Sequence, residues 1–512
     1  MHIARIYDIS IIEYKKGSKE LSMRKKPMSV ILAAAMSFSL FACAPSESEE
    51  STKYVIDAVL SDDYTLTATV TCDYVNNNDV PLKELCFHMY PNAYREGAKF
   101  SPIPDANISN AYPSGRSYAK LDVTKVTVDG ADTAITLTGE DENILSVALG
   151  KMLEPSEHSQ VTVSYSVKMP KVKHRFGYTD KSVNLANFYP IACVYSDGAF
   201  VCDPYYSSGD PFFSDIADYD VTLTVPDKFE AAGTGSLKSK TENAESKTAV
   251  YNFEASSVRD FAAVLGEYDK ASGAAGDVIV NYYYYSDGEP ERALNTAIDA
   301  IETFGEMFGG YPYREYSVVQ TGFVHGGMEY PQLSMISDTY TGDAYNDVII
   351  HETAHQWWYA AVGNNEVKHA WLDEGLAEYS TMLFYERNTE GYKYTFDGKR
   401  ADALAAYMLY CENYKNNGRG DTSMTRPINE YANETEYSYM TYVKGALMLD
   451  DVRHTVGDGA FFAGLKNYYT QNKFGIAEPQ NLVGAMEKSS KRQLDALFNA
   501  WLDGSVKLYS SH

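Results

Sequence analysis

The chain has 512 residues, 45% of them hydrophobic and 22% charged, with a formal charge of −26 at pH 7. These proportions belong to a globular protein of two or three domains. The acidic balance, with no block of Lys and Arg, excludes nucleic acid as a partner, and beyond the N-terminal stretch nothing is long and apolar enough to cross a bilayer.

The first segment is not fold. Arg24-Lys25-Lys26 is a basic region, Val30 to Phe41 an apolar one, and Leu40-Phe41-Ala42-Cys43 sets a small residue before a cysteine. This order reads as a secretory signal, and it resembles the lipobox of bacterial lipoproteins. The resemblance implies that residues 1–42 are removed and that Cys43 is lipidated. The protein is then exported and lipid-anchored at the bacterial cell surface. An ordinary cleaved signal with an incidental Cys43 is the alternative. Residues 1–22 fit no signal layout, so Met23 is the expected start. Residues 43–53, rich in Ser and Glu, read as a solvated tether. Losing residues 1–42 removes seven basic and three acidic groups and takes the charge from −26 to −30. The other cysteines are Cys72, Cys86, Cys193, Cys202 and Cys411. Their odd number leaves at least one free or in an intermolecular bond. Cys193 and Cys202 are close enough to bridge across a hairpin, and Cys72 could pair with Cys86 across neighbouring strands. The sequence leaves that choice open. No CxxC or Cys/His cluster suggests a structural zinc site.

Residues 54–272 carry a β pattern. Tyr64–Val70, Leu121–Val128, Gln160–Tyr165 and Tyr219–Val225 alternate with period two, are rich in β-branched and aromatic residues, and are punctuated by Gly, Asn and Asp. Repeated short strands of this kind predict an antiparallel sandwich or saddle. Ser272-Gly273-Ala274-Ala275-Gly276 reads as a linker. In residues 273–512 one more strand is expected at Val278–Tyr285. Helical spacing follows at 289–308, 347–362, 371–387, 400–414, 442–456, 460–472 and 494–502. The fold class is therefore α+β, a β domain followed by a mainly helical one.

His351-Glu352-Thr353-Ala354-His355 is an HExxH motif, with Asn346 or Asp347 as the expected helix cap. Positions four apart share a helix face, so both imidazoles reach one ion. Glu352 lies one step round the helix, placed to take a proton from a water at the metal. Eighteen residues separate His355 from Glu374, which lies on a helix whose apolar face is marked by Leu372, Leu376, Tyr379 and Leu383. An antiparallel helix pair joined by residues 363–369 would bring Glu374 over the first helix. Two histidines and one carboxylate leave a coordination position open, the arrangement of a catalytic zinc.

HExxH, eighteen residues and then Glu inside Trp371-Leu372-Asp373-Glu374-Gly375-Leu376-Ala377-Glu378-Tyr379 resembles the gluzincin aminopeptidases, the family of aminopeptidase N and leukotriene hydrolase. Thermolysin-like endopeptidases use the same ligand types, but their spacing differs by one and they lack that segment. Two further segments carry the resemblance. Gly326-Gly327-Met328-Glu329-Tyr330 looks like the family's GAMEN motif, departing from it at Gly327 and Tyr330. The likeness implies an edge strand on which a peptide lies, with Glu329 holding the free α-amino group through a charge-assisted hydrogen bond. Tyr442-Val443-Lys444-Gly445-Ala446 looks like the family's YxKGA segment, which makes Tyr442 the donor to the oxyanion of the tetrahedral intermediate. Tyr437 is a weaker, supporting candidate. Glu378, one turn after Glu374, reads either as the acceptor for the outer N–H of a ligand histidine or as a plain surface carboxylate. Trp357 and Trp358 read as packing.

The resemblance implies an N-terminal saddle domain, a thermolysin-like catalytic domain and one zinc ion per chain. The implied reaction is removal of the first residue from a peptide or protein substrate. It runs out near Leu497–Gly504, and the family's large C-terminal helical domain has no match, so an open cleft is expected. The family's acidic segment in the saddle domain has no clear match either. Asn187-Phe188-Tyr189-Pro190 and Asp210-Pro211-Phe212-Phe213 fall in that region without an assigned role. Two other readings stay open: an endopeptidase using the open cleft, and a catalytically silent lipoprotein that only binds peptides.

Overall fold

The computed structural model describes residues 51–417 and 420–509. The signal region, Cys43 and most of the tether lie outside these residues. Thr52 and Lys53, expected at the tether's end, already belong to the first strand, Thr52–Leu60. That strand buries Tyr54, Ile56, Ala58 and Leu60 and exposes the residues between them, the period of a sheet with one wet face.

An eight-stranded sheet dominates the N-terminal half. Its order is Ser236–Asn243, Thr248–Val258, Ala217–Pro226, Thr52–Leu60, Thr65–Val75, His158–Lys168, Leu121–Val128 and Ala131–Asp132. The pairing of Thr52–Leu60 with Ala217–Pro226 is parallel, a departure from the wholly antiparallel sheet that was expected. Two four-stranded sheets pack against this one and share its core. Cys72 lies on Thr65–Val75 in the large sheet and Cys86 on Leu82–His88 in a separate one, so they do not occupy neighbouring strands. A small hairpin pairs Tyr195–Ser196 with Ala199–Phe200. Its turn residues Asp197 and Gly198 have φ of 52° and 84°, the left-handed pair a two-residue turn demands.

The second half opens on a five-stranded mixed sheet. Its order is Asp269–Ala275, Val278–Tyr284, Glu315–Thr321, Leu333–Ser337 and Gly327–Met328. The expected linker 272–276 is therefore strand and turn. Gly273 has a packing cause: a Cβ there would come 2.7 Å from the Ile298 side chain of the covering helix Pro290–Phe308. Gly327–Met328 is the sheet's antiparallel edge, as the resemblance implied.

The helices follow the expected periodicity, and short helices at Glu366–His369 and Glu434–Ser438 are added to it. The HExxH helix is Gly342–Ala354, so Asn346 and Asp347 lie inside it and cap nothing. It also stops before 362, because the backbone tightens at His355: the N–H groups of Gln356 and Trp357 reach back only three residues, to the carbonyls of Thr353 and Ala354. A further helix at Pro479–Ser490 had not been expected from the sequence. Arg259 ties the two halves together. Its buried guanidinium donates to the carbonyls of Tyr359 (2.7 Å), Ser214 (3.2 Å) and Gly475. Glycine at 363 is required there, since a Cβ would overlap that guanidinium.

Candidate functional site

His351 and His355 project from one face of the HExxH helix toward Glu374 in the first turn of Trp371–Arg387. Their donor atoms form a nearly equilateral triangle. His355 Nε2 is 3.2 Å from His351 Nε2 and 3.2 Å from Glu374 Oε2, and His351 Nε2 is 3.3 Å from Glu374 Oε2. A tetrahedral zinc bound at about 2.0–2.1 Å spaces its ligands by about 3.3 Å. The donor set thus fits one zinc ion in both chemistry and dimension. Burial disfavours the charged form of His351, but hydrogen bonds to Glu374 and Glu378 outweigh it and push the imidazole up to about 9. Burial likewise opposes ionisation of Glu374, but the two histidines hold it down at about 2. The carboxylates thus favour positive charge on the imidazoles, and a divalent cation supplies that charge while displacing the protons.

The ligands are themselves oriented. His351 Nδ1 lies 3.3 Å from Glu378 Oε2, and Glu378 in turn pairs with Lys399 at 3.5 Å. Of the two readings of Glu378, the geometry favours the acceptor. His355 Nδ1 is 3.0 Å from the Trp358 carbonyl, which leaves its Nε2 for the metal. Trp357 and Trp358 are buried, their indole N–H groups donating to Gly309 O (2.7 Å) and Ser380 Oγ (3.0 Å), the packing role that was expected.

Glu352 is buried with Oε2 unpartnered, and burial against its neighbours raises its carboxyl to about 7. It packs on the edge strand so closely that a Cβ on Gly327 would come within 2.4 Å of its carboxylate. That contact accounts for glycine at this position. Glu329, next along from the edge strand, is also buried with Oε1 unpartnered, 4.0 Å from His355 Nδ1. Gln356 locks this segment to the zinc helix: its amide donates to Tyr330 O at 3.2 Å and accepts from the Gln332 N–H at 2.8 Å. Tyr330 is fully buried, and its hydroxyl donates to Asn187 of the β half at 3.0 Å. Gly326, Gly327 and Glu329 line the cavity, while the Met328 side chain turns back to the core, its Sδ 3.0 Å from Arg175 Nε.

Tyr442 lies in a π-helical stretch, Tyr439–Lys444, that runs into Gly445–Val456. Such local widening recurs at functional sites. The Tyr442 hydroxyl donates to Glu374 Oε1, and its ring stacks on His351 at 5.6 Å. Two glycines set this approach: a Cβ on Gly445 would come 2.8 Å from Gly375 Cα, so the two helices touch backbone to backbone. Lys444 points the other way, its buried Nζ donating to the carbonyls of Thr422 and Trp501. Tyr437 is buried edge-on to Tyr442, with centroids 6.0 Å apart.

A cavity of about 250 Å³ opens over these groups. Sequence reasoning missed four of the ionisable groups on its walls. Arg175 and Asp210 come from the β half and pair with each other. His325 and Glu434 also line it and pair at 3.3 Å. Asp210 had been noticed only as part of an unassigned segment, and no periodicity marks any of the four.

A family model, the peptidase family M1 domain, matches residues 292–501. Aminopeptidase N of Streptomyces lividans is 26% identical over 257 residues, which is 44% of this chain and 29% of that protein. Aminopeptidase N of Lactobacillus delbrueckii subsp. lactis is 23% identical over 422 residues, 75% of this chain and 46% of that protein. The chain therefore spans less than half the length of these relatives. Among solved structures, an M1 zinc metallopeptidase from Deinococcus radiodurans superposes with a TM-score of 0.63 at 18% identity, covering 90% of this chain and 95% of that one. A mutant of that metallopeptidase bound to a Tyr-Ser-Ala substrate gives 0.63 at 17% identity with the same coverage. At this identity the likeness is one of fold.

Proposed function

We propose that this chain, whose residues 292–501 match the peptidase family M1 domain, is a zinc aminopeptidase that removes the first residue of peptides. The observation that carries the reading is Glu329: a buried carboxylate with an unpartnered oxygen, one residue beyond the edge strand, beside the metal donors. An unpaired buried carboxylate is costly unless a cation meets it, and a peptide's terminal ammonium is such a cation. His351, His355 and Glu374 would hold the zinc, which supplies Lewis-acid polarisation to the scissile carbonyl and the attacking water. Glu352 takes the proton from that water and delivers it to the leaving amine. The Tyr442 hydroxyl turns from Glu374 to the developing oxyanion. Glu329 sets which peptide bond reaches these groups.

The test is one peptide offered in free and N-acetylated forms. The free form is expected to lose its first residue, the acetylated form to resist, and a chelator to stop cleavage of the free form. Internal cleavage of the acetylated peptide would replace this reading with the endopeptidase one.

Gly327→Ala tests the contact behind Glu352. The added methyl displaces the carboxylate, and kcat is expected to fall by about 10–100-fold, the cost of misplacing a reacting group by about an ångström. An unchanged kcat would mean that the contact with Gly327 does not hold Glu352 in place.

We also propose export and lipid attachment at Cys43, supported by the basic region, apolar run and lipobox-like residues. Labelled fatty acid should enter the wild type and not Cys43→Ala; label persisting in the variant would refute attachment there.

A further inference from the structure

Away from the cleft, three cysteines meet at the base of the small hairpin. Its two-residue turn sets the register Ser196 opposite Ala199 and Tyr195 opposite Phe200. The Val201 N–H donates to Val194 O at 2.8 Å, so Val194 and Val201 are a hydrogen-bonded pair. One step further out, Cys193 and Cys202 are then directly opposed in a non-hydrogen-bonded pair. That is the pairing with the closest approach, with Cα atoms about 4.5 Å apart, inside the 4.4–6.8 Å range a disulfide spans. Their Sγ atoms are 3.8 Å apart. Cys86, on the adjoining strand Leu82–His88, accepts the Cys193 N–H on its carbonyl at 2.8 Å, and its thiol lies beside Cys202. Cys72 and Cys411 are buried and take no part in this cluster.

We propose that Cys193 and Cys202 form a disulfide, leaving Cys86 as a thiol. The bond would fasten the start of segment 203–216, which has no regular secondary structure and carries Ser207, Gly209 and Asp210 to the cleft. The oxidant is a protein or small-molecule disulfide. Its S–S bond accepts two electrons and becomes two thiols, while both cysteine protons leave and the Sγ–Sγ bond forms. Cys202 is part-exposed, so such a reagent reaches it.

The full chain is treated with glutathione disulfide, alkylated without reduction, cut at Asp197 to separate the two cysteines, and mapped by mass spectrometry. The expected result is loss of two alkylatable thiols and a Cys193–Cys202 cross-link that survives Cys86→Ser. Reductant should lower the Tm of the oxidised protein by about 2 °C or more and leave Cys202→Ser unmoved. Free Cys193 and Cys202, a Cys86–Cys202 link, or glutathione adducts alone would overturn the proposal. The wild-type map decides even if a variant fails to fold.

Discussion

Glu352→Gln is expected to lower kcat by about 10³-fold while zinc stays at one per chain and KM changes little. The amide matches the carboxylate in size, so the tight contact with Gly327 is kept. What is lost is the ability to take a proton. Glu352 Oε2 has no hydrogen-bond partner in the fold, so no structural bond is broken. Burial is the first reason its carboxyl is raised, and the nearby carboxylate Glu374 adds to it. Removing the charge should therefore leave Tm unchanged or slightly higher. The measurements are steady-state kinetics on an aminoacyl substrate, metal content and a melting curve. Activity within tenfold of wild type would remove Glu352 as the base. Loss of zinc along with activity would show that the variant reports on the site's assembly and not on proton transfer.

The parts of this site legible in the sequence are those held by local geometry. The spacing of His351 and His355 is the pitch of a helix, and Glu374 follows on an amphipathic helix of its own. Gly375 and Gly445 could be read as motif members, but their reason is tertiary: two helix backbones touch there. Tyr442 was selected by its neighbours Lys444 and Gly445, and both neighbours prove to be packing residues that fix where the tyrosine stands.

What was not legible depends on long-range packing. Arg175 and Asp210 reach the cleft through the fold of the β half, and the segment bearing Asp210 has no period to read. Residues 272–276 looked flexible because they are small. Gly273 is small because a helix lies on it and Gly276 because the turn takes a φ of 57°, and a strand-and-turn and a linker share that composition. The HExxH helix looked longer than it is because Trp357, Trp358 and Val362 continue the apolar pattern, although the backbone has already turned.

Tyr442→Phe is the second variant with a large expected effect, a fall in kcat of about 10²–10³-fold, the usual cost of one oxyanion donor. The ring is kept, so its stacking on His351 at 5.6 Å and its edge contact with Tyr437 at 6.0 Å remain. Only the hydroxyl goes, and with it the bond to Glu374 Oε1. Glu374 keeps its contacts to both histidines through Oε2, so zinc content should hold. Substrate binding should also hold, because the hydroxyl meets the substrate oxygen only as charge develops there. KM is therefore expected to change by less than about threefold while kcat collapses. Tyr437→Phe is the matched control: the same atom is removed from the neighbouring tyrosine on the cavity wall, which makes no hydrogen bond to Glu374, and activity should stay within about threefold. Equal losses in the two variants would assign the effect to packing of the tyrosine pair, and a Tyr442→Phe enzyme with more than a third of wild-type kcat would end the case for an oxyanion donor at this position.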